Sequence, residues 1–243
     1  MRSLLQSAYI LHARPFRDTS LILDIFARQH GRLSILAKGA RQAKRRAVVF
    51  EPFQCLELSW AGRGELPVLA QVETTYSCRL IGKVSMYSGL YLNELLVHLL
   101  HKHDPHEALF DDYDQCVRHL ESPSIVLEGR LRFFEKRLLE ELGYGLALLT
   151  TTDDTGREQL IAEHTYYYDC ERGLIDMSFS GDTKLSMLPQ ISGRSVKALL
   201  EDDYNDINCL QEMKRLMRYV LNYHLAGKVL QTRTLFRRSD VDV

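Results

Sequence analysis

No apolar run in this chain approaches the ~20 residues that a helix needs to cross a bilayer, so no membrane span and no membrane partner is expected. The N-terminal stretch "MRSLLQSAYILHARPF" is too polar for a secretory signal and lacks a small-residue cleavage pattern. A cytoplasmic location is therefore expected. Paired cysteines are also missing. Cys55, Cys78, Cys116, Cys170 and Cys209 are odd in number, far apart and form no CxxC motif. Disulfide scaffolds are small and cysteine-dense, and structural zinc sites use ligands at short spacing, so reduced thiols are the expected state.

The strings that mark the common nucleotide and hydrolase sites are absent as well. No GxxxxGK[ST] loop is present, and Gly143-Tyr144-Gly145 has no third glycine at dinucleotide-binding spacing. There is no GxSxG elbow, HExxH helix or DxDxDG calcium loop. These absences remove the common enzyme classes without excluding an enzyme, and they give no catalytic residue and no cofactor to name.

What is present begins with charge. The net charge of −1 hides an asymmetry: residues 1–82 hold 12 Lys/Arg against 6 Asp/Glu, and residues 83–243 hold 19 against 26. A basic segment on an otherwise acidic chain points to an anionic partner. Hydrophobic residues at 45% and charged residues at 26% are ordinary for a globular protein with a real core.

The basic segment reads as β. "QSAYILHARPF", "TSLILDIFA", "GRLSILAKG", "FQCLELSWAG" and "ELPVLAQVETTY" are short runs rich in β-branched and aromatic residues, separated by turn signals at Pro15 to Asp18, Gly31, Pro52 and Gly62-Arg63-Gly64. Leu56, Leu58 and Trp60 alternate with Cys55, Glu57 and Ser59, and Leu66, Val68, Ala70 and Val72 alternate likewise, as half-buried strands do. Five such strands in about 80 residues favour closure into a barrel, because closure removes exposed edges. An oligonucleotide-binding (OB) barrel is one solution.

The period then changes to helical over 83–103, 107–120 and 125–142, where Leu131, Phe134, Leu138 and Leu142 form one stripe that Gly143 terminates. An irregular, hairpin-like insert around 150–178 turns at "CERG". Ser192 and Asp206 are placed to cap two further helices, the second with an apolar stripe of Ile207, Leu210, Met213, Met217, Val220 and Leu221 ending near Gly227. The expected class is α+β, with an OB domain over 1–80 and a helical domain over 81–243.

Three groups of side chains compete as sites. His98 and His101, with Glu94 a turn earlier, could ligate a metal, but His103 and His106 fall past an expected helix end, and exposed histidines there suit the helix dipole. The acidic groups Asp111-Asp112/Asp114, Asp153-Asp154 and Glu201-Asp202-Asp203 lack the glycine turn and spacing of dedicated cation sites. No metal is expected. The third group differs: Lys38, Arg41, Lys44, Arg45 and Arg46 place five cations within residues 38–46, after a strand that breaks at Gly39. Lysine and arginine on a barrel loop can neutralise phosphates without sequence preference. Arg14, Arg17, Arg32 and Arg63 lie near turns of the same barrel, and Tyr9, Phe16, Phe26 and Trp60 offer rings for stacking, although Trp60 shares the phase of Leu56 and Leu58 and suits the core.

Several strings carry a resemblance. "PFRDTSLILDIFARQHGRLSILAKGARQAKRR", "YSGLYLNELL", "LRFFEKRLLEELGYG" and "TRTLFRR" resemble, in order and over nearly the whole chain, the bacterial recombination mediator RecO family, DNA repair proteins of the RecF pathway, and most of all its gamma-proteobacterial branch. The resemblance implies an OB domain followed by a helical one. It also implies binding of single- and double-stranded DNA and annealing of complementary strands without ATP. Its implied partners are RecR and the single-stranded DNA-binding protein SSB, with RecA loading onto SSB-coated strands downstream. Many members hold zinc with four cysteines between the helices, whereas residues 150–176 here hold only Cys170, so an insert lacking zinc is expected. The SSB tail ends in an acidic, Asp-Phe carboxylate segment, whose dock needs cations around an apolar pocket. Arg132, at a family-matching position, is the leading candidate, with Arg130, Leu131, Phe134 and Lys136 beside it. Two other classes stay open: a metal-dependent nuclease using the acidic clusters, and an OB-fold protein that binds structured RNA.

Overall fold

The structure is a computed structural model and describes residues 3–42, 50–62, 64–77, 80, 82–148, 160–177 and 183–239. Five strands open the chain: β1 (Gln6–Phe16), β2 (Ser20–Ala27), β3 (Gly31–Ala37), β4 (Gln54–Ala61) and β5 (Val68–Ser77). They close into a barrel in the order β1-β2-β3-β5-β4, with β1 pairing β4 and a single parallel bridge, Leu36 to Val68, joining β3 to β5. This is the OB-fold topology, and the architecture is α+β.

Alternation fills the barrel as the pattern demands. Ala8, Ile10, Leu23, Ile25, Leu33, Ile35, Leu56, Leu58 and Trp60 form its core. β5 departs from the expected phase. Its pairing with β4 slips at Ser59/Trp60, so Trp60 faces Leu69 and Ala70 is left as an extra residue. A bulge of this kind switches which side chains point inward. Leu69 and Val72 therefore pack against the core while Ala70 and Leu66 stay exposed.

Helices follow: α1 (Lys83–Leu99), α2 (Glu107–Arg118), α3 (Ser124–Glu141), α4 (Gly193–Leu200), α5 (Ile207–His224) and α6 (Thr232–Ser239). Between α3 and α4 lies a small sheet of β6 (Thr165–Asp169), β7 (Gly173–Asp176) and β8 (Gln190–Ser192), ordered β7-β6-β8. The β6–β7 turn falls at "CERG", where Asp169 accepts from the backbone of Glu171 and Arg172. Ser192 caps α4 by accepting from Ser195 N, and Asp206 caps α5 by accepting from Asn208 and Cys209. Ile207, expected on the α5 stripe, is half exposed in the first turn, whereas Leu210, Met213, Met217, Val220 and Leu221 are buried. α1 ends at Leu99, earlier than the helical period over 83–103 suggested, because Lys102 and His103 leave it to pair with Arg32 on β3.

Packing divides the chain into two compact units. One holds residues 1–121 together with 230–243, so α1, α2 and α6 belong with the barrel; the other holds residues 122–229. Within the first unit, α6 is capped from far along the chain. The Glu94 carboxylate on α1 accepts from the N–H groups of Gln231 and Thr232 and from the Thr232 hydroxyl. Both Glu94 oxygens are occupied in this way, while Oε1 also lies 3.8 Å from His98 Nε2. Among the described residues no three of His, Cys, Asp and Glu gather as metal ligands, and no helix is long and apolar enough to cross a membrane.

Candidate nucleic-acid interface

The register of the barrel gives it two unlike rims. Phe16 pairs with Ser20, Leu21 with Ala37, Leu36 with Val68 and Ala61 with Val68. The end of β1, the start of β2, the end of β3, the end of β4 and the start of β5 therefore share one rim. Three connections leave from it: the Arg17–Thr19 turn, the β3 exit from Lys38 onward and the segment from Gly62 to Pro67. Backbone bonds tie them together, Arg41 N to Thr19 O at 2.9 Å and Leu36 N to Pro67 O at 2.8 Å. Arg41 also donates from Nη1 to the Arg17 carbonyl at 3.2 Å.

This rim is cationic and open. Arg14, Arg17, Lys38 and Arg41 are all exposed. Among the described residues none of the four forms an ion pair. Their charge stays available to an incoming phosphate. Lys44, Arg45, Arg46 and Arg63 lie outside the described residues.

The opposite rim is sealed. Gly31 occupies the β2–β3 turn with φ +64°, and a Cβ there would lie 1.9 Å from the Asp104 carbonyl oxygen, so only glycine fits. α2 contributes Phe110 and Tyr113, whose rings pack on Tyr9 at 5.7 and 5.0 Å. Two cations here are neutralised: Arg28 pairs with Asp111 at 2.8 Å and lies 3.4 Å from Glu107, while Arg118 pairs with Asp114 at 2.7 Å and stacks over the Tyr76 ring; Arg32, beside Gly31, has a buried Nε with no hydrogen-bond partner. The Tyr9 hydroxyl donates to Asp114 at 2.6 Å. Burial, then that bond, pushes the Tyr9 hydroxyl far above its ordinary value. Burial alone would raise the Asp114 carboxyl, but the bonds from Arg118 and Tyr9 outweigh it and hold the group below the usual range. Burial pushes the Cys55 thiol, beside this cluster, up to about 11. Asp111 and Asp114, read from the sequence as solvated acids, are thus the fasteners of this rim. Their i,i+3 spacing beside Phe110 and Tyr113 was the signal.

Of the four candidate stacking rings, Tyr9, Phe26 and Trp60 are core residues at 0%, 0% and 7% exposure. Phe16 alone of them is half-buried, at the open rim.

In the second unit the proposed tail contacts separate. Arg132 is 4% exposed and bonded to the fully buried Glu135 at 2.8 Å. Lys136 is nearly as buried, reaching the Leu199 carbonyl and Asp202, each at 2.8 Å. Leu131 and Phe134 are core. Arg130 instead lines a cleft of about 360 Å³ with Ile125, Val126, Phe133 and Tyr204. Gly129 forms its floor, where a Cβ would meet the Tyr204 Cβ at 2.8 Å. Phe133 meets Tyr204 edge-on at 6.3 Å. Among the described residues of the insert no three metal-ligating side chains gather. Burial pushes the lone Cys170 thiol up to about 11, and His164 is engaged with Asp176 at 2.6 Å.

Comparison with known proteins gives the family. Residues 1–78 match the family model described as Recombination protein O N terminal, and residues 84–233 match Recombination protein O C terminal. A "DNA repair protein RecO" of Dechloromonas aromatica is 41% identical over 238 residues, covering 96% of this chain and 94% of that protein. Proteins of the same name from Coxiella burnetii and Sodalis glossinidius are 40% and 39% identical over 235 residues each, covering 96% of this chain and 98% and 87% of theirs. With an OB barrel followed by helices, and with both family models matched in order, this chain belongs to the recombination protein O family of DNA repair proteins.

Proposed function

We infer that the chain is a strand-annealing recombination mediator that binds single- and double-stranded DNA at the open rim of its barrel and acts in the nucleoid. The supporting observation is the unpaired set Arg14, Arg17, Lys38 and Arg41, gathered on one rim while Arg28 and Arg118 are neutralised at the other. Two strands repel each other as polyanions. Cations that lower that repulsion let the bases find their partners, and no nucleotide hydrolysis is needed for pairing itself. Lys44, Arg45, Arg46 and Arg63 extend the same role in this reading.

The chain works with RecR and prepares SSB-coated strands for RecA. The SSB tail docks in the second unit, in the cleft of Arg130, Phe133, Ile125 and Val126. An apolar wall beside a guanidinium suits a segment ending in an aromatic side chain and a carboxylate. Arg132 and Lys136, with Leu131 and Phe134, support that wall from within. The test is annealing of complementary fluorescent strands with and without SSB, ATP and magnesium. Pairing that needs neither ATP nor magnesium and leaves the strands intact is expected. Magnesium-dependent shortening of a strand would instead identify a nuclease, and a preference for structured RNA would identify an RNA-binding protein.

A further inference from the structure

The open rim carries an aromatic ring as well as cations. Phe16 ends β1 and is half-buried, and the Arg17 guanidinium lies 5.3 Å from the centre of its ring. Arg17 holds a left-handed backbone, φ +51°, which L side chains rarely adopt. Its carbonyl is held by the Arg41 guanidinium from the neighbouring loop. The ring is thus presented by a constrained turn, with a planar cation lying over it and Arg14 two residues before it on the same strand. Tyr9, Phe26, Trp60 and Phe53 are all buried and can offer no face to a ligand.

We propose that Phe16 is a base-stacking residue, so that the rim binds unpaired nucleobases of single-stranded nucleic acid as well as phosphates. The inference rests on the rim being the DNA-binding surface and adds to it a recognition of strand state. A π face accepts any base, whereas bases in a duplex are already stacked on their neighbours and offer it nothing. Arg17 lies where a cation can hold the adjacent phosphate or sandwich the base against the ring. Selectivity for single strands then comes from the ring, and affinity common to both strand states comes from the cations.

The test compares three ligands at fixed salt: a mixed-sequence single strand, the same length of abasic strand, and the duplex. Phe16→Ala is expected to weaken binding of the base-bearing single strand by about 5- to 150-fold, leaving abasic strand, duplex and salt slope unchanged. Phe16→Leu, which keeps apolar bulk but has no π face, is expected to behave like alanine, and Phe16→Tyr like the native protein. Phe16→Trp adds a second tryptophan to a chain whose other one, Trp60, is buried, so its emission should be quenched by the base-bearing strand and not by the abasic one. Equal loss on all three ligands, or native binding in Phe16→Leu, would overturn the stacking role. Replacing Arg14, Lys38 and Arg41 together separates the two claims. If that variant binds every ligand as the native protein does, the rim is not the DNA surface; if it loses affinity while Phe16→Leu does not, only the stacking role fails.

Discussion

The two rims of one small barrel are built from the same residue types set among different neighbours. At the sealed rim, Arg28 and Arg118 meet Asp111 and Asp114, and Gly31 lets the 104 segment press against the turn. At the open rim, Arg14, Arg17, Lys38 and Arg41 meet no carboxylate among the described residues. The count of cations therefore says little about function. What matters is whether the fold has already supplied their counter-ions, and here α2 supplies them to one rim alone.

Three substitutions at the sealed rim should alter stability and leave DNA alone. Gly31→Ala should have the largest effect. It combines a left-handed backbone with a Cβ driven into the Asp104 carbonyl, and a loss of at least about 2 kcal/mol is expected in urea unfolding. Tyr9→Phe removes a hydrogen bond to a largely buried carboxylate and should cost about 1–2 kcal/mol at neutral pH. The difference depends on pH in a definite direction. Asp114 titrates below its ordinary value of 3.8, so its contribution is present above that pH and is lost as pH falls through the folded value. The gap between native protein and Tyr9→Phe should accordingly narrow below about pH 4. Arg28→Ala should matter least, by less than about 1 kcal/mol, because both partners are substantially exposed and screened.

Much of this contrast was legible in the sequence. Alternation gave the five strands nearly to the residue, and the loop of residues 38–46 stood out by charge. β5 slipped because a bulge is a pairing event between strands, and periodicity within one strand cannot show it. The three-residue β8 was too short to carry a pattern at all. The α3 cations failed to sort for a related reason. Arg130, Arg132, Lys136 and Arg137 surround the helix, and only the fold reveals that Glu135 and the distant Asp202 take up Arg132 and Lys136 while Arg130 reaches the cleft. Glu94 escaped similarly, since the helix it caps lies far along the chain.

The salt dependence of single-strand binding tests the account most directly. The Arg14/Lys38/Arg41→Ala variant should bind more weakly and show a log–log salt slope shallower by about 2, near 0.7 for each lost phosphate contact. Arg28→Ala, at the sealed rim, should keep the native slope. Equal slopes in the native protein and the open-rim variant, or a shallower slope in Arg28→Ala, would contradict the division of the barrel into a binding rim and a structural one.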